Sequence, residues 1–200
     1  MANVNAVTGL SPVGTITGAP FNEQGVLYAI ANDASNTYAI GDVVKSAVGN
    51  DANGVPLVTK AVAASVPLGV IASIRVANPG VSLQGTNLNL AQLWIGLSSG
   101  SYTYVYVITD PAVIYSVQAN ASADAKVGAT AVPTITADQT STLAQSSPFS
   151  STYVTCDSSA TAASMFQVVG LYQEPQNVPG AYNNVLVKFN KHQYLQAFGA

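Results

Sequence analysis

Charge is what this chain has least of. Six Lys/Arg and nine Asp/Glu in 200 residues make it 8% charged, against roughly 25% in an average soluble domain. A monomer of this size ordinarily covers itself with Lys, Glu, Asp and Arg. Here the outside is Ser, Thr, Asn, Gln and Gly, or it is covered by other subunits. Depletion of Lys and Glu is also what buried protein–protein contacts prefer, so the chain reads as an assembly component. The net charge is −3 and no Lys/Arg cluster exists, Lys188 and Lys191 being the closest pair. Without a basic patch to neutralise phosphates, no nucleic acid is expected as a partner.

Other absences narrow the classes further. A single cysteine, Cys156, excludes an intrachain disulfide and points to synthesis in a reducing cytoplasm. With one Cys and one His, no cluster of three or four metal ligands can be assembled. No apolar run approaches the ~20 residues that span a bilayer, and the N-terminus lacks a basic region followed by an apolar core. Neither a membrane segment nor a signal peptide is therefore expected. No G-x-x-x-x-G-K-[ST] or G-x-G-x-x-G occurs to cradle a phosphate. Amphipathic helices longer than about two turns are missing.

What the chain does have is short strands. The stretch from Tyr102 to Gln118 reads YTYVYVITDPAVIYSVQ. Tyr102, Tyr104, Tyr106 and Ile108 fall on one face, with Thr103, Val105 and Val107 on the other; Asp110-Pro111 breaks the run, and alternation resumes at Val113. Proline fixes its own φ and pushes the preceding residue out of the helical region. Period-two alternation of β-branched and aromatic residues predicts two paired strands, a hairpin covered on both sides. Further strands are predicted at Val26–Ile30, Tyr38–Lys45 (bent at Gly41-Asp42), Val55–Thr59, Leu68–Val76, Gln92–Leu97, Thr134–Thr136, Thr152–Cys156, Met165–Tyr172 and Asn184–Phe189. A short helix fits around Leu88–Leu93. Residues 1–24 hold no periodicity beyond four residues and read as an extended N-terminal arm, ordered on a partner, or as a frayed terminus. Residues 25–200 form the β-rich domain. The fold class is all-β, a sandwich or partly closed barrel, jelly-roll or β-tulip-like.

Candidate chemistry is sparse. Gly96-Leu97-Ser98-Ser99-Gly100 satisfies G-x-S-x-G, followed by Asp110, Asp138 or Asp157 and then His192 in hydrolase order. That elbow needs a strand-to-helix turn, and a tyrosine strand follows instead, so the motif reads as a hairpin connection. Cys156 and His192 could form a thiolate–imidazolium dyad, although a lone cysteine is more often buried filler. The Asn50–Gly54 turn imitates the start of a calcium loop but lacks the bidentate acid that should follow. Asn120-Ala121-Ser122 is a glycosylation acceptor only in a secreted protein. The tyrosines at 102, 104 and 106 either pack across a sheet and hydrogen-bond at its rim or line an oligomer contact. No catalytic, cofactor-binding or metal residue is expected, and no enzyme.

The C-terminal third carries a resemblance. Gln145-Ser146-Ser147, Tyr153–Asp157, Thr161-Ala162-Ala163, Phe166–Tyr172, a loop with Asn177 and Gly180, and the run from Val185 to His192 follow one another. This order, with the strand–Asp-Pro–strand stretch Val105–Gln118 before it, resembles the capsid decoration (cement, or head-stabilising) proteins of tailed bacteriophages. The similarity covers about residues 100–194; Met1–Pro67 lies outside it, and Gln173–Asn177 is less acidic than the family's loop. The resemblance implies a non-enzymatic, β-rich protein on the outer capsid surface of the virion, made in the host cytoplasm. It implies binding where major capsid proteins meet, opposing internal DNA pressure, as a homotrimer or a two-fold homodimer. Residues 1–24 would clamp a neighbour. A different class, an adhesion or carbohydrate-binding module such as a fibre component, would use Trp94 and the tyrosines as its platform.

Overall fold

The computed structural model describes residues 3–19, 21–22, 24–30, 37–76, 94–96, 103–120, 128, 130–134, 150–157 and 164–195. They form an all-β protein of two sheets packed against each other. In the first, β2 (Val26–Ile30), β4 (Val43–Asn50), β5 (Pro56–Lys60), β6 (Gly69–Val76) and β8 (Thr103–Ile108) close into a barrel of order β2-β5-β4-β6-β8. A two-stranded ribbon, β3 (Thr37–Ala39) with β7 (Trp94–Gly96), stands beside it. The second sheet contains β1 (Ser11–Thr15), β9 (Val113–Gln118), β10 (Thr130–Thr134), β11 (Tyr153–Asp157), β12 (Phe166–Leu171) and β13 (Asn184–Phe189). Its order is β1-β9-β13-β12-β10-β11, and it curls until Ala119, just past β9, bridges Val154 of β11 in parallel. It is a second, partly closed barrel, with β1 added at its rim.

The two barrels repeat one another. Taken in chain order, the first strand of each ring pairs in parallel with the third: β2 with β5, and the end of β9 with β11. All other pairings are antiparallel, third to second, second to fourth, fourth to fifth and fifth back to first. Register transfers as well. Val44 faces both Lys60 and Gly69, and Ala131 faces both Cys156 and Phe166. Ile71 faces Val107 just before a bulge, and Val168 faces Val187 just before the same bulge. Two residues ahead of the second strand, Gly41 and Gly128 each hold φ at 88°. Each donates its N–H at 2.9 Å, to Ile71 O and to Val168 O respectively. A residue with a Cβ is strained in this left-handed region, so glycine is required at both places.

Alternation decides where the two cores lie. Tyr28, Ile30, Val44, Val58, Ile71, Val105 and Val107 fill the first barrel. Val113, Tyr115, Val117, Phe166, Val168, Val185, Val187 and Phe189 point into the second, where Val43, Val70 and Ile108 from the outside of the first barrel meet them. Each such side chain removed from water contributes about 1.5–3 kcal/mol. The expected hairpin is not one. β8 pairs with β2 and β6, whereas β9 pairs with β1 and β13, so Asp110-Pro111 is the corner at which the chain changes barrels. Asp110 Oδ1 accepts from Ala112 N at 2.8 Å and fixes that corner. Both strands alternate as read, but period-two pattern specifies a face and not a partner. β8 is indeed covered on each side, from Tyr104 (4% exposed) to Ile108 (1%).

The ends of the chain cross over. Of residues 1–24, the span 3–19 lies along the second barrel, where β1 pairs with β9 and Asn3 binds Val178 O and Ala181 O at 2.8 and 2.9 Å. The turn after β13, Gln193–Leu195, returns to the first barrel. Gln193 N donates to Pro67 O at 2.9 Å, Gln193 Oε1 accepts from Ser46 N at 3.0 Å, and the Tyr194 and Tyr28 hydroxyls sit 2.9 Å apart. The segment before the first barrel thus pads the second, and the segment after the second pads the first.

Candidate functional site

The densest polar cluster lies where the barrels and the N-terminal segment meet. Asp42 follows the left-handed Gly41, and Lys60 ends β5; both are buried, with Nζ 3.0 Å from Oδ2. Asp42 Oδ2 also accepts from Ala39 N at 2.9 Å, and Oδ1 accepts from the Ser150 hydroxyl and, at 3.4 Å, from that of Thr152. Lys60 Nζ donates to Thr37 O at 2.9 Å as well. Ser150 N in turn donates to Ile40 O, and Leu10 N to Gly41 O. A buried pair repays its desolvation only when further hydrogen bonds satisfy both ions, and here they do. With both groups buried and each fully engaged, the pair is suited to fixing one arrangement of the parts, not to meeting a substrate.

A second carboxylate is spent in the same manner. Asp51, in the turn between β4 and β5, is 3% exposed. Its oxygens accept from Asn53 N (2.9 Å), Val55 N (2.7 Å), Asn53 Nδ2 (3.3 Å) and the Tyr104 hydroxyl. Burial pushes its carboxyl up, and the hydrogen bonds from Tyr104, Val55 and Asn53 more than reverse this, leaving it below the usual carboxylate range. The turn that imitates a calcium loop is therefore an Asx turn whose donors already occupy the acid. Tyr104 accordingly packs and bonds at the rim of its own barrel; Tyr106 is half-buried beside it, and Tyr102 lies outside the described residues.

The hydrolase residues are scattered or outside the described residues. Gly96 ends β7, while Ser98 and Asp138 lie outside them. Asp157 ends β11 opposite Thr130. His192 is buried; its ring packs on Phe189 and Tyr194 at 5.4 and 5.6 Å, and its Nδ1 accepts from Tyr194 N at 3.2 Å. Burial pushes its pKa down, against the Leu68 backbone and the Asp110 charge, so the ring is held neutral. Cys156 sits on β11 opposite Ala131, and burial pushes its thiol up to about 11. That is filler chemistry, the reverse of an activated thiolate. Trp94 opens β7 opposite Ala39. Among the described residues no three His, Cys, Asp or Glu come together, and no helix is long and apolar enough to cross a membrane.

Clefts open between the elements among the described residues. The one of about 360 Å³ between residues 3–6 and the loop after β12 is rich in amides, Gln118, Asn177 and Asn184 among them. Two of those amides are already used: Asn177 Nδ2 binds Tyr172 O and Asn184 O at 2.7 Å, and Gln118 Nε2 binds Val4 O at 3.0 Å. It is a joint that pins the N-terminal segment. A cleft of about 370 Å³ around Leu10, Phe21 and Ala72 is mainly apolar. A third, about 700 Å³, runs between the exit of β1 and the start of β2 and is lined also by the Asp110 corner. Comparison with family models, curated proteins and solved structures finds no match for this chain.

Reading the sequence for reactive motifs passed over Asp42 and Lys60. The signal available was contextual: an aspartate at a strand break and a lysine inside the apolar run LVTKAVAA, in a chain with hardly any charge to bury.

Proposed function

We propose that this chain is a non-enzymatic capsid decoration protein, one that binds the outer surface of a major capsid shell and stabilises it against internal pressure. The observation that carries the reading is where the few charges go. Of six Lys/Arg and nine Asp/Glu, Asp42, Lys60 and Asp51 are buried inside the protein. Among the described residues Asp110 and Glu174 are exposed and Lys45, Lys188 and Lys191 partly so, while apolar residues such as Val4, Val48, Val62 and Leu195 stand 60% exposed or more. A sparsely charged surface loses little on desolvation when it is pressed over a wide area against another protein. Two barrels locked by a buried ion pair and crossed tails make a stiff part, which suits a load-bearing role. Repetition by symmetry multiplies weak contacts, and a homotrimer would offer six like barrels to a shell; a homodimer at two-fold positions would offer four.

The test is co-sedimentation of the purified chain with tailed-phage heads whose particles contain it by mass spectrometry. Saturable binding to the shell, with a higher rupture temperature of the heads, is expected. Val4→Asp and Ile16→Asp, both exposed in the N-terminal segment, test the arm, and unchanged occupancy in both would show that it clamps nothing. Absence of head binding, together with glycan binding that vanishes in Trp94→Ala, would transfer the protein to the adhesion class.

A further inference from the structure

The two barrels match in every pairing, so a site filled in one identifies a vacancy in the other. In the second barrel, the first half of β9 is flanked on its open side by β1: Ser11 faces Ser116, Pro12 faces Tyr115, Gly14 faces Ile114 and Thr15 faces Val113. β9 corresponds to β2 through their common partners. Val117 and Val185 stand to β9 and β13 as Tyr28 and Val105 stand to β2 and β8. Continuing that register, residues 113–116 correspond to residues 24–27. On its open side β2 pairs with β5 only at Ala29 and Ile30. Among the described residues no strand lies against Gln24, Gly25, Val26 or Leu27 there, and Val26 is 51% exposed. The cleft of about 700 Å³ lies at the start of β2, lined by Gln24, Gly25 and Val26, by Asp110 and Ala112 beyond β8, and by Thr15 and Thr17 at the exit of β1. Its acid, Asp110, already accepts from Ala112 N.

We propose that the β2 edge over residues 24–27 accepts an extended strand from a partner protein, in the way the β9 edge accepts β1. An unpaired edge presents a row of backbone N–H and C=O groups that a strand completes. Four residues at about 3.3 Å each need some 13 Å of edge. The occupant's chemistry follows from β1 itself, Ser-Pro-Val-Gly-Thr: uncharged, with small or β-branched side chains. The proposal stands on the barrel repeat alone and survives or fails separately from the shell reading.

A synthetic peptide of residues 8–18 is the probe, added to the full chain while amide hydrogen exchange is followed. Exchange at residues 24–27 should slow by about tenfold or more at saturation. The protection should be lost in Val26→Lys, and in Gln24→Lys as a second variant, with the melting temperature unchanged because both side chains are exposed. A charge on an edge strand is how such pairing is blocked. No slowing at residues 24–27 overturns the proposal. So does slowing confined to residues 113–116, which would mean the peptide only exchanges with β1. Protection that rises with chain concentration in the absence of peptide would give the edge to a second copy, and overturns the foreign strand.

Discussion

The two barrels share strand order, register, bulge and a left-handed glycine, yet they are held by different means. At the end of its third strand the first barrel carries Lys60, paired with Asp42. The corresponding position in the second is Cys156, and the residue after Gly128 is Ala129. One topology therefore tolerates at this register position either a buried lysine in an ion pair or a partly buried cysteine. The charge is not needed to form the barrel. It sits where it also reaches Ser150 and Thr152 of the second barrel, so its office is joining one barrel to the other. The second barrel instead relies on aromatic packing, with Phe166 on Phe189 at 5.1 Å and Tyr115 edge-on to Phe189 at 5.6 Å.

Breaking the pair should have the largest effect. Lys60→Met leaves Asp42 buried without its cation and should cost about 3–5 kcal/mol in urea unfolding. Asp42→Asn with Lys60→Met, which removes both charges and keeps an acceptor for Ala39 N and a polar partner for Ser150, should recover much of that loss. If the double variant is as unstable as the single one, the pair is not a coupled unit.

Glycine substitution sharpens the comparison at the next scale. Gly41→Ala and Gly128→Ala both place a Cβ at positive φ, which costs about 1–2 kcal/mol. A Cβ on Gly41 also meets Leu10 N at 3.0 Å, whereas one on Gly128 meets nothing within 4 Å. The Gly41 variant should therefore melt lower than the Gly128 variant, and equal melting temperatures would remove the N-terminal segment from the joint.

The C-terminal clasp should respond to acid. His192 has a folded pKa below its ordinary 6.5, so below about that pH the unfolded chain binds a proton that the folded chain does not. Stability then falls as pH drops through 6.5, and His192→Gln should flatten this arm of the melting-temperature profile. Asp51, whose carboxyl is held below its ordinary 3.8, adds a separate loss only at lower pH. The smallest effect belongs to Tyr115, whose buried hydroxyl has no partner among the described residues. Tyr115→Phe should leave stability unchanged or raise it by about 1 kcal/mol, since an unpaired buried hydroxyl costs free energy and its removal does not.

Much of the strand inventory was legible in the chain. Val26–Ile30 and Asn184–Phe189 have the bounds their alternation predicts, and Gly41-Asp42 does bend the chain between β3 and β4. Residues 130–133 of β10 escape prediction, because Ala-Val-Pro-Thr offers little contrast between faces, and of the strand expected at Thr134–Thr136 all but Thr134 lies outside the described residues. Pairing was not legible: the tyrosine strand and Val113–Gln118 are neighbours in sequence but belong to different barrels. Nor was the repeat. The equivalent residues are matched by register while their identities differ, Val44 with Ala131 and Gly69 with Phe166, so no period shows in the letters. The helix expected around Leu88–Leu93 lies outside the described residues.

The two barrels form one mechanical unit, welded by the Asp42–Lys60 pair and by tails that each cross to the other barrel. Differential scanning calorimetry of the whole chain tests this most directly. A single transition is predicted, with calorimetric and van't Hoff enthalpies equal. Two resolved transitions, one for each barrel, would contradict it.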